Sequence, residues 1–171
     1  MKNNILSFLC ISLFFSACSS NNNQDNGNKF SNDFEAIGTW TENQQVLRES
    51  AKSGIYSTFT DTVYAYTQTM KMEWKYLKNK SPKSVEVIAW VMSQNADAKG
   101  KLVFSLEKDG KNLIWEGSEI QKVIKVSNKW MEVKLNVSLK PGIEDASIIK
   151  VYGVNDGKRK VYWDDFTVTF N

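Results

Sequence analysis

Two adjacent carboxylates, Asp164 and Asp165, sit in the middle of VYWDDFTVTFN at the end of the chain. The rest of the run is Val, Tyr, Trp, Phe and Thr, which is strand composition. Neighbours on a strand point to opposite faces, so the two acids diverge and cannot act on one substrate atom. By parity, Tyr162, Asp164, Phe166, Val168 and Phe170 share one face. That face is the better core face, which turns Asp164 inward. A buried unpaired carboxylate is expensive. Asp164 therefore needs a cation, a Lys or Arg, or backbone N–H groups around it.

Little other catalytic chemistry is available. The chain has 171 residues, no His and two Cys. This excludes Ser-His-Asp and Cys-His catalysis and His metal sites. A bound metal must take oxygen ligands, which points to Ca²⁺ or Mg²⁺. Glycoside hydrolysis needs two facing carboxylates at a defined separation, and no strand carries an E-x-D-x-x-E run. An enzyme is not expected. The net charge of +3 is mild and interspersed, which argues against a nucleic-acid partner.

The first residues, MKNNILSFLCISLFFSAC, place Lys2 before the apolar run Ile5 to Phe15 and end in small residues. The run is short for a membrane span and reads as a signal peptide over 1–17. The ending FSAC resembles the lipobox of bacterial lipoproteins, with Phe15 where Leu is usual. The resemblance implies cleavage before Cys18 and acylation of that Cys, with palmitate among its acyl chains. The polar, Asn-rich residues that follow cannot bury surface, so 18–29 is expected to be a disordered tether. Ser19, rather than Asp, follows the Cys, which by the same resemblance implies the outer membrane. With Cys10 in the signal and Cys18 lipidated, the folded domain has no disulfide and no zinc–thiolate site.

Residues 30–171 have the size of one domain. Helical periodicity is weak, and only TENQQVLRESAKSG has the pattern of a short helix. Strand signals dominate. QTMKMEWKYL and WMEVKLNVSL alternate, and SVEVIAWVMS is nearly all apolar. KLVFSLEKDGKNLIWEG holds two strands about Asp109-Gly110, a hairpin signal. Many short antiparallel strands with frequent turns predict an all-β, antiparallel β-sandwich of the jelly-roll kind. A monomer is expected.

The order of several short pieces resembles the galactose-binding-domain-like jelly roll of many carbohydrate-binding modules. NDFEAIGTW is similar to that family's opening, ESAKSGIYST to its A-x-S-G-x-Y-S segment, and VYWDDFTVTF to its closing I-D-D-V strand. NKWMEVKLNVSL resembles the strand before its Leu-Pro turn, with Lys140 intervening before Pro141. The resemblance implies a structural Ca²⁺ between the first and last strands. Its ligands would be Glu35, Asp33, the carbonyl region of Lys52 and Ser53, and Asp164. The alternative is that Asp164 pairs with a cationic side chain or backbone N–H groups without metal.

Such jelly rolls stack Trp and Tyr rings on sugars. In SVEVIAWVMS the compact Val85, Val87, Ala89 and Val91 set claims the core, which puts Trp90 outside. Leu102, Phe104 and Leu106 suit the core as well, leaving Val103, Ser105 and Glu107 on an outer face with Lys150 and Tyr152. Trp90, Trp115 and Tyr152 are the candidate ligand contacts, and packing is the alternative role for each. Tyr64 and Tyr66 mark another possible groove edge, while Trp40 and Trp130 read as core or rim anchors. The expectation is a surface-tethered, non-catalytic carbohydrate-binding-like module, with a polysaccharide or oligosaccharide as partner and the membrane reached through the lipid. The alternatives are a structural or protein-interaction lipoprotein of the envelope and, behind it, a small glycan-degrading enzyme.

Overall fold

Alternating apolar residues form the walls of an antiparallel β-sandwich. The computed structural model describes residues 28–36, 40, 42, 45–143, 147–155 and 158–171. Cys18, the signal and most of the tether lie outside them. The described strands are β1 (Lys29–Asn32), β2 (Thr58–Thr60), β3 (Met70–Glu73), β4 (Ser84–Ser93), β5 (Gly100–Lys108), β6 (Lys111–Glu119), β7 (Met131–Ser138), β8 (Ile148–Asn155) and β9 (Val161–Phe170). Single 3₁₀ turns follow β3 and β6, at Trp74–Tyr76 and Ile120–Lys122. Among the described residues of 41–54 there is no helix; Leu47 instead bridges Ser57. Asn28 and Lys29, expected in the tether, already belong to the fold. The Asn28 carbonyl accepts the Phe170 N–H at 2.9 Å, and Lys29 opens β1.

One sheet runs β1-β9-β4-β7, with β2 also paired to β9. β4 lies along the whole of β9, so β1 and β2 share its other edge, at Asn32↔Phe166 and Thr58↔Trp163. The second sheet runs β3-β8-β5-β6. The β5–β6 turn has positive φ at both Asp109 (52°) and Gly110 (71°), the backbone of a two-residue hairpin turn.

The two inner faces meet in a core of Val85, Val87, Ala89 and Val91 from β4, Leu102, Phe104 and Leu106 from β5, and Phe166, Val168 and Phe170 from β9. Trp40 is buried against Phe34 and Phe166. Trp130 packs on a smaller cluster of Phe59, Met92 and Tyr162.

The parity expected for β9 fails at the two aspartates. Val168 pairs with Val87 and Thr167 with Ile88, but the next partner of β4 is Trp90, which faces Asp164. Asp165 is the extra residue, with φ of 48°. This β-bulge resets the alternation. Trp163 and Val161 join Phe166, Val168 and Phe170 in the core, and Asp164 leaves the core face for the Trp90 side.

Candidate functional site

Asp164 is nonetheless fully buried, because the loop after residue 50 covers it. Its Oδ2 accepts the N–H of Lys52 at 2.7 Å and of Ser53 at 3.3 Å, and its Oδ1 accepts the N–H of Asp165 at 2.8 Å. Burial pushes the Asp164 carboxyl up to about 6, with the N–H bonds opposing that rise. Asp165 turns outward and accepts the Ser53 hydroxyl at 2.6 Å.

Glu35 holds the same loop from the other chain end. Its Oε1 accepts the N–H of Ile55 at 2.7 Å and of Tyr56 at 2.6 Å. The loop turns at Gly54 with φ of +60°, and a Cβ there would lie 2.4 Å from the Glu35 carboxyl carbon. Only glycine meets both conditions. Asp33 accepts the Glu35 N–H at 3.2 Å. Four of the residues expected around a cation, Glu35, Lys52, Ser53 and Asp164, thus meet at one loop, which presents N–H groups to both carboxylates, while Asp33 accepts, among the described residues, only the Glu35 N–H. Among the described residues no group of three or more His, Cys, Asp or Glu side chains is placed to hold a metal.

Trp90 lies on the outer face of the β9–β4–β7 sheet, half-buried, as its parity predicts. Its neighbours are not the expected ones. The Lys52 ammonium sits over the ring, 4.3 Å from its centroid, and Glu132 and Asp164 flank it in register. Glu107, Lys150 and Tyr152 belong to the other sheet, so Trp90 does not share a face with them.

Those residues do share a face with Trp115. Ser105 on β5 stands opposite Trp115 on β6 and Lys150 on β8, and Val103 stands opposite Gly117 and Tyr152. Phe104 and Leu106 are in the core, so Val103, Ser105 and their partners form the outer face of this sheet. The Trp115 indole N–H donates to the Tyr152 hydroxyl at 3.1 Å. Burial pushes the Tyr152 phenol up, so it keeps its proton at neutral pH and can donate to a ligand. Tyr66 bridges to Val154 and sets its ring edge-on to Tyr152, centroids 5.6 Å apart. Trp115 is 43 % and Tyr66 49 % exposed. Three aromatic side chains therefore line one open face.

Charged groups surround them. Lys150 pairs with Glu107 at 2.8 Å and Lys71 with Glu42 at 2.6 Å. The Glu107 hydrogen bond holds the Lys150 ammonium above its usual range. Between Trp115 and Lys150 the Ser105 hydroxyl is buried without a protein partner. Beside Trp115 a cleft of about 630 Å³ opens between β6 and β7, lined in part by Leu113, Asn136, Ser138 and Lys140. Aromatic faces bordered by paired hydrogen-bonding groups suit a ligand with both C–H faces and hydroxyls.

The sequence matches no family model, and it matches no curated protein. Solved structures do share its fold. The C-terminal family 22 carbohydrate binding module of Clostridium thermocellum Xyn10B is 14 % identical, with a TM-score of 0.58 over 85 % of this chain and 94 % of that one. The CBM22-2 xylan-binding domain of Paenibacillus barcinonensis Xyn10C is 16 % identical, with a TM-score of 0.56 over 83 % of this chain and 99 % of that one. Its CBM22-1 xylan-binding domain is 20 % identical, with a TM-score of 0.53 over 82 % and 92 %. The chain thus has an antiparallel jelly-roll β-sandwich fold, the fold of these carbohydrate-binding modules.

Proposed function

We propose that this chain is a non-catalytic carbohydrate-binding module that engages a polysaccharide on the outer face of the β3-β8-β5-β6 sheet. The observation that carries the reading is the row of Trp115, Tyr152 and Tyr66 on one open face, edged by the Lys150–Glu107 pair. The fold shared with xylan-binding domains supports it. Trp115 supplies the stacking surface. Tyr152 orients the indole and donates outward, and Glu107 with Lys150 takes the sugar hydroxyls.

Trp115→Ala is expected to weaken binding to soluble xylan, or to the best glycan on an array, by about 2 kcal/mol, roughly thirtyfold. The melting temperature should stay near the parent's, because the ring is nearly half exposed. A folded variant that binds as the parent does sinks this placement.

The tether is part of the same proposal. An acylated Cys18 would hold the module at the outer membrane, as FSAC followed by a polar run suggests. Cys18→Ser is expected to move the protein from the membrane fraction to the soluble fraction, or to leave it unprocessed. A mutant that fractionates like the parent would remove the lipid anchor.

Calcium is proposed as a ligand of the Lys52–Tyr56 loop, through the Glu35 and Asp164 side chains, the carbonyl or side chain of Asp33, and the carbonyls of Lys52 and Ser53, a set that the present loop conformation does not yet assemble. It would supply the positive charge that N–H dipoles now offer the two carboxylates. The loop would have to turn carbonyls toward Asp164 in place of those N–H groups.

A further inference from the structure

We infer that Lys101 makes the Trp115 face selective for polysaccharides that carry carboxylates, an inference that rests on the carbohydrate reading above. Lys101 lies on β5 in register with Val154 and Glu119. Its stem crosses Gly117, where an added Cβ would come 3.1 Å from the Lys101 Cδ. The missing side chain at Gly117 lets the stem reach Trp115, and the ammonium sits 5.1 Å from that ring's centroid.

The other two lysines that project from β3 and β8 on this face are neutralised: Lys71 by Glu42 and Lys150 by Glu107. Lys101 has no carboxylate within ion-pair distance among the described residues. Its cross-strand neighbour Glu119 pairs instead with Lys122, at 3.5 Å. Among the described residues of β3, β5 and β8 on this face, Lys101 is thus the cation that sits on an aromatic ring rather than on a carboxylate.

A neutral sugar stacked on Trp115 makes no use of that charge. A uronate stacked there carries its carboxylate at the ring edge, within reach of a flexible four-carbon stem. Lys101 then exchanges a cation–π contact for a charge-assisted hydrogen bond, the stronger of the two.

The test compares glucuronoxylan with the same polymer after its uronates are reduced to primary alcohols, using the full-length chain. The parent is expected to bind the acidic polymer at least about tenfold more tightly, with the advantage shrinking as salt rises. Lys101→Met should bring the ratio between the two polymers close to one, and Lys101→Arg should restore it. Equal binding of both polymers by the parent overturns the inference while leaving the carbohydrate reading intact. A preference that survives in Lys101→Met also overturns it. A folded parent that binds neither polymer overturns the inference, and one that also binds no glycan on an array overturns the carbohydrate reading with it.

Discussion

Gly153→Ala is expected to cost about 3 kcal/mol of stability, at the upper end for one added methyl group. Gly153 lies on the inner face of β8, opposite Leu102. A Cβ built there would come within 2.6 Å of the Trp163 ring, with two further ring atoms at 2.7 and 2.8 Å. Neither side can retreat freely. The Trp163 indole is fully buried, and its N–H donates to the Thr60 hydroxyl at 3.1 Å. The Gly153 N–H donates to the Thr67 hydroxyl at 2.8 Å, and its carbonyl accepts the Thr67 N–H at 2.9 Å. The strand and the indole are each pinned from outside their contact.

For a domain of this size such a loss lowers the melting temperature by about 10 °C. Trp163→Phe alone should also destabilise, by removing buried volume. Placed together with Gly153→Ala, it should recover part of the loss, giving a coupling above about 1 kcal/mol. A Gly153→Ala protein within about 0.5 kcal/mol of the parent would mean the sheets can shift apart at this point. The contact also bears on function. Tyr152, which accepts the Trp115 indole N–H, is the neighbouring residue on β8, so any shift of the strand at Gly153 is expected to weaken glycan binding as well.

Much of the sandwich was legible because it is local. Val85, Val87, Ala89 and Val91 alternate against Glu86, Ile88 and Trp90, and the core takes the compact set. Asp109-Gly110 marks its hairpin by turn chemistry alone. The candidate site was half legible. Alternation assigns Trp90, Ser105 and Tyr152 to outer faces, but it does not say which sheet each strand joins. Strand order β3-β8-β5-β6 is set by long-range pairing, and it separates Trp90 from Lys150 and brings Tyr66 beside Tyr152. The bulge in β9 was hidden for another reason. One extra residue reverses every side chain beyond it, and no glycine announces it. The only local signal is Asp165 itself, since Asp tolerates positive φ better than most residues.

The bulge gives Asp164 a pH dependence opposite to that of a salt-bridged acid. Burial raises its carboxyl from 3.8 to about 6. The folded chain therefore holds this proton more tightly than the unfolded chain does. Stability rises with pH only where the unfolded state binds more protons; here the folded state binds more. The contribution of Asp164 is thus most favourable below about pH 4. It falls as pH rises through the interval up to about 6 and is level above that. A shift of about two units corresponds to about 3 kcal/mol.

The comparison is with Asp164→Asn, whose amide oxygen can still accept the Lys52 and Ser53 N–H groups without a charge. Denaturant unfolding between pH 4 and pH 7 should show the parent losing about 2 kcal/mol relative to the variant, most of the full shift. A flat difference, or one of opposite sign, would mean that the three N–H bonds outweigh burial and keep the carboxylate ionised. Calcium enters the same measurement. A cation bound by the charged form stabilises the fold by RT ln(1 + [L]/Kd), about 2.7 kcal/mol at a hundredfold excess over Kd. It would act above pH 6, where the parent is otherwise weakest. A parent whose melting temperature at pH 7 rises by several degrees with calcium and falls back with chelator, beside an Asp164→Asn variant that responds to neither, would place the ion at this loop. A parent indifferent to both would leave Lys52, Ser53 and the buried proton as the whole account of how the chain accommodates Asp164.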